Sequence, residues 1–168
     1  MIHDPERRGR ELAAFYLAVA PRLFHDVVES GMLPPAGPSH AQAQTEWECF
    51  GLYACVRGLV AAGGFNVETG RAIEALHEAV IDAWNREAEA DEPIESRRAR
   101  VSERYHEYGE IGQAGGASGA ATVAQRLGEA AARHMTAPAP PPDDLADMIG
   151  ALHEALAEGA AEATRRQE

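Results

Sequence analysis

Between Glu46 and Trp84 the chain has few folds open to it. Glu46 to Val56 is its most aromatic run, and Ile73, Leu76, Val80 and Trp84 then recur at the spacing that lines one face of a helix. Gly63-Gly64-Phe65-Asn66 separates the two runs, with glycines able to reverse the chain and Asn66 placed to cap the helix that follows. The pattern predicts a helical hairpin at the centre of the core. It holds both tryptophans, Trp47 and Trp84, together with His77.

The flanking segments follow the same period. Asp4-Pro5-Glu6 opens a first helix with a capping acid and a proline at the first turn. Leu12, Phe15, Val19 and Leu23 mark its stripe, Pro21 predicts a kink or break near Leu17 to Ala20, and Ser30-Gly31 is the stop. A fourth helix begins at Ile94 with Val101, Tyr105 and Tyr108 on one face, and the glycine-rich run Gly109 to Gly119 should break or loosen it. Val123, Leu127, Ala131 and His134 give a short fifth helix. Asp143-Asp144 should cap a last one striped by Leu145, Met148, Ile149, Leu152 and Leu156.

No segment alternates apolar and polar residues as a strand does. The expectation is an all-α protein, a compact bundle of five to six helices in one domain over 1–168, with short loops favouring antiparallel neighbours. Two proline-rich linkers are expected, at about 33–41 and 136–142, and would let the first and last helices pack on a neighbouring subunit. Small residues at Gly51, Cys55, Gly58 and Ala62 prepare one face of the second helix for close approach by another helix, from this chain or from a second copy.

Charge narrows the function. The net charge of −12 argues against nucleic-acid binding, which needs clustered positive charge, and suits a basic protein partner. All fifteen positive charges are arginines, as in a bacterium with a GC-rich genome. Cys49 and Cys55 point in different directions on one helix and are expected to be free thiols in a reducing cytoplasm. Arg7-Arg8-Gly9-Arg10 before Leu12 to Ala20 has the outline of a signal peptide, but Asp4, Glu6, Glu11 and Pro21 spoil it. No apolar run is long enough to cross a bilayer, so the expected setting is cytoplasmic, without a membrane partner.

Three patterns carry candidate chemistry. Glu74-Ala75-Leu76-His77 and Glu103-Arg104-Tyr105-His106 have the Glu-x-x-His spacing of di-metal carboxylate bundles. At about 100° per residue, His77 falls on the apolar face with Glu74 at its edge, whereas Glu103 and His106 fall toward solvent. Ala75 to Ala79 and Ala151 to Ala155 share the sequence Ala-Leu-His-Glu-Ala, which offers His153 as a further ligand for a transition metal ion beside Glu74 and His77. The third pattern is Arg97, Arg100 and Arg104 on one side of the fourth helix beside Tyr105 and Tyr108, a combination that holds carboxylates or phosphates bidentately and is enriched in protein contact surfaces. Glu107 and Glu110 have the Glu-x-x-Glu spacing of helical pyrophosphohydrolases, but lie on a polar face. Nucleophile elbows, Cys-x-x-Cys and phosphate loops are absent from the sequence.

The reading that these features support best is a non-catalytic protein-binding or regulatory protein. It would act through contacts with another protein or by self-association as a homodimer, through Arg97, Arg100, Arg104, Tyr105 and Tyr108 and the small-residue face. It needs no cofactor. The alternatives are a metal-binding protein built on Glu74, His77 and His153, and a small-ligand pocket among Trp47, Phe50, Tyr53 and Trp84.

Overall fold

A computed structural model describes residues 4–87, 92–114 and 120–166, and is all-helical among them. Its six helices are α1 (Pro5–Glu29), α2 (Pro38–Gly63), α3 (Val67–Glu87), α4 (Ile94–Ala114), α5 (Ala120–Thr136) and α6 (Leu145–Arg165). The described residues contain no helix long and apolar enough to cross a membrane.

Local chemistry sets most of the helix ends. The Asp4 carboxylate accepts from the amides of Glu6 and Arg7, satisfying donors that a helix start leaves open. Asn66 does the same for Thr69 at the start of α3 and also donates to the Gly63 carbonyl, so the α2–α3 turn is pinned from both sides. Gly31 and Gly64 take positive φ angles at the ends of α1 and α2. The cap expected at Asp143-Asp144 does not form. Asp144 adopts a left-handed conformation, and its side chain accepts no amide.

Three further expectations are corrected. Pro38 is the first residue of α2, because a proline's fixed φ suits that position, so residues 38–41 of the first expected linker are helical. Leu33 in the remaining stretch is buried, and the His40 ring bonds the Pro34 carbonyl. Residues 137–144 join α5 to α6, and Gln42 of α2 donates to the carbonyls of His134 and Ala137 at their start. α1 runs unbroken through Pro21, and α4 runs through Gly109 and Gly112 to Ala114. Ile111 packs on the core, a contact that offsets the cost of about 1 kcal/mol for each helical glycine. The rest of the expected break, residues 115–119, lies outside the described residues.

α2 is the axis of the fold. It contacts all five other helices, and its buried residues lie on every side, from Ala43 through Trp47, Phe50, Leu52 and Cys55 to Leu59. The most extensive contacts join helices distant in sequence, α2 with α6 and α1 with α3. Gly9 meets Ala72 and Ala75, and Tyr16 meets Trp84, so α1 and α3 run in the same direction. The small-residue face of α2 is covered from within: Gly51 sits against Leu156 and Tyr16, and Gly58 against the backbone of Ala157 and Ala161. The first and last helices therefore pack on this chain's own core rather than serving only as arms for a neighbour. On α1 the buried stripe is Leu12, Ala13, Tyr16, Ala20, Phe24 and Val27, with Phe15, Val19 and Leu23 on its flank. Tyr16 moves the centre of the stripe because its ring is buried while its hydroxyl donates to the Glu48 carbonyl at 2.7 Å.

Candidate functional site

The arginine and tyrosine face of α4 is turned inward. Arg104 makes a two-bond pair with Glu46 of α2, at 2.8 and 2.9 Å, and only 15% of the arginine side chain and 8% of the glutamate's remain exposed. The Glu46 carboxylate holds the Arg104 guanidinium firmly protonated. Arg100 bonds Glu92 through both terminal nitrogens, and Arg97 pairs with Glu92 at 3.5 Å while lying 5.6 Å above the Trp84 ring. Tyr108 is fully buried against Phe50 and Tyr53, and Tyr105 packs on Tyr53 and bonds His77. Arg97, Arg104, Tyr105 and Tyr108 tie α4 to α2 and α3, whereas Arg100 pairs with Glu92 in the segment just before α4. These five residues do not form an open contact face.

The residues of the metal alternative are not gathered either. Glu74 is exposed. His77 Nε2 lies 2.7 Å from the Tyr105 hydroxyl. Burial pushes the His77 imidazole down to about 4 and the Tyr105 phenol well above its ordinary range. At neutral pH the phenol therefore donates to an uncharged ring. His153 is fully buried on α6 and stacks on Phe50 with ring centres 4.1 Å apart. Neither of its nitrogens, nor the Tyr108 hydroxyl, has a hydrogen-bond partner of good geometry. Burial pushes His153 down to about 3, with the Arg57 guanidinium adding to the effect and the Phe50 backbone opposing it. The rings of Tyr105 and Tyr53 stand between the two histidines. Among the described residues no group of three or more His, Cys, Asp or Glu side chains could hold a metal ion. Glu103 and His106 are exposed, as the helical spacing requires.

Two surface features remain. The first is the α2–α3 turn, where Phe65 is 94% exposed and Val67 74%. These are the large apolar side chains that the described residues leave open, and the Asn66 bonds hold their backbone in place. The second is a groove of about 260 Å³ between α1, α2 and the end of α3. Tyr16, Phe24, Trp47 and Trp84 supply its aromatic wall, and Glu48 and Glu87 its acids. Trp47 and Trp84 both line this groove; Phe50, whose ring lies 6.2 Å from that of Trp47, and Tyr53 sit beside His153 and Tyr108 and do not line it. Glu48 is half-buried, and while its backbone carbonyl accepts from Tyr16, its carboxylate has no hydrogen bond or ion pair among the described residues. Burial pushes its carboxyl up to about 7, against the pull of Arg97.

The sequence offered a signal for Glu48, a carboxylate between two core residues, Trp47 and Cys49, in the most aromatic run of the chain. Phe65 carried a weaker one, a large ring placed in a turn. No family model matches the chain, and no curated protein or solved structure does.

Proposed function

We propose that this chain is a non-catalytic binding protein that docks another protein on the α2–α3 tip. The observation that carries this reading is the exposure of Phe65 and Val67 on a turn whose backbone is fixed at both ends. A large apolar side chain presented on a rigid mount loses little entropy when it enters a partner's pocket, which is how interface anchors work. The net charge of −12 favours a basic partner and speeds its approach. Free, buried Cys49 and Cys55 fit a reducing, cytoplasmic setting. Arg97, Arg100 and Arg104 are each engaged by Glu92 or Glu46, so the tip offers a more open apolar contact than the arginine row of α4.

The test uses the wild-type chain and Phe65→Ser as baits in parallel, beside sedimentation velocity of both. A retained protein that, once purified, binds the wild-type chain at least tenfold more tightly than Phe65→Ser supports the proposal; a tenfold difference is about 1.4 kcal/mol. Self-association lost in Phe65→Ser would make a second copy the partner, as a homodimer. Equal binding by both baits, or a monomer that retains nothing, overturns it.

A further inference from the structure

We infer that the groove between α1, α2 and α3 binds a small organic cation, an alkylammonium or alkylguanidinium group, with Glu48 as its counter-ion. This site is distinct from the tip. Glu48 lies fifteen residues of α2 before Gly63, about 22 Å along the helix.

Three observations carry the inference. The groove's 260 Å³ falls just below the roughly 300–1,000 Å³ typical of ligand sites, so its occupant is small. Its lining includes the rings of Tyr16, Phe24, Trp47 and Trp84, and Arg97 already lies over the Trp84 ring, so this surface accommodates a cation. Its inner carboxylate, Glu48, lacks a partner among the described residues, although this chain pairs Glu46, Glu92, Glu107 and Glu154 with cationic or imidazole groups. A half-buried carboxylate without a counter-ion is costly, and a cation entering the groove would supply one.

The charges facing Glu48 are Glu87 from α3, Glu92 just before α4, and Arg97 and Arg100 from α4. α1 lines the groove with Tyr16, Leu17, Ala20, Pro21 and Phe24, none of them charged at neutral pH. Both arginines are already bonded to Glu92, which leaves Glu48 to the ligand. Because Glu48 titrates near 7, cation binding strengthens as pH rises from 6 to 8, by roughly tenfold in affinity as its carboxylate ionises.

The chain's two tryptophans both line the groove, so their fluorescence reports occupancy directly. The probes are n-butylammonium and n-butylguanidinium chlorides at constant ionic strength, with n-butanol as the uncharged control. The expected result is a saturable change in emission at pH 8, with Kd on the order of 1–10 mM, at least tenfold weaker in Glu48→Gln and for n-butanol, and roughly tenfold weaker at pH 6. Far-UV circular dichroism checks the variant's fold, and the n-butanol and pH comparisons test the inference on the wild-type chain alone. No saturable response, an equal response to n-butanol, or an unchanged Glu48→Gln would overturn it. Blocked acetyl-lysine and acetyl-arginine methylamides separate the sources. If they bind at least as tightly as the butyl probes, the cation is a peptide side chain. If only the butyl probes bind, it is a free amine or guanidine.

Discussion

Arg104 crosses from α4 to Glu46 of α2 with two parallel hydrogen bonds, and the pair is almost wholly removed from water. Breaking such a pair leaves one charge buried alone, which costs about 3–5 kcal/mol, far more than losing an ion pair in solvent. Arg104→Glu is therefore expected to lower the stability of the chain by at least that amount in urea denaturation, since it sets a second carboxylate against Glu46. Arg98→Glu, at an exposed position of the same helix, should change it by no more than about 0.5 kcal/mol. Equal effects would mean that the Arg104–Glu46 pair forms no part of the folded state. The arginine row was legible as a row. Its destination was not, because the acids that receive it come from α2 and from the segment before α4, and helical spacing says nothing about which helix faces which.

The helices meet where glycine lets their backbones approach. A Cβ added at Gly58 would lie 2.6 Å from the Ala157 carbonyl and 3.0 Å from the Ala161 amide, both backbone atoms that cannot swing aside. Gly58→Ala should destabilise the chain by about 1–3 kcal/mol despite the gain of about 1 kcal/mol in helix propensity. At Gly109, in the interior of α4, nothing lies within 4 Å of an added Cβ. There the same substitution should raise stability by about 0.5–1 kcal/mol. Thermal melts of the two variants read both signs in one experiment. Two glycines in helices thus act oppositely, one as a closely packed contact and one as a weak link. The small-residue spacing on α2 foretold the first kind of site, and only the position of α6 distinguishes it from the second.

Across the whole molecule, buried ionisable groups tie stability to pH. His77 and His153 are held uncharged, down to about 4 and about 3, whereas in the unfolded chain they titrate near 6.5. As pH falls below 6.5 the unfolded chain takes up protons that the folded chain refuses, so stability falls. Glu48 works the other way. Its folded carboxyl binds a proton near 7 and its unfolded one near 4.5, so between those values it adds stability as pH falls. Two histidines outweigh one glutamate below about pH 6, and the midpoint of thermal unfolding should decline from there to pH 4. His153→Leu removes the two unpartnered nitrogens, and should leave stability at pH 7 unchanged or higher while reducing the acid loss by about 3 kcal/mol. An identical acid limb in the variant would show that His153 is not buried uncharged.

The sequence by itself determined the all-helical class, the turn at Gly63 to Asn66, the Asp4 and Asn66 caps and the apolar faces of α3 and α6, since these depend on residues within a few turns of one another. It also showed that Glu103 and His106 point away from the core. Only the tertiary structure decided that α3 packs chiefly on α1 rather than folding back along α2, and that α1 and α6 pack on the small-residue face of α2. It likewise decided that Arg97, Arg100, Arg104, Tyr105 and Tyr108 are spent on internal contacts, and that Glu48 is left in an aromatic groove without a partner. Each of those outcomes is a meeting between side chains far apart in the chain, set by how whole helices fill a shared volume. The spacing that builds a single helix carries no information about that meeting.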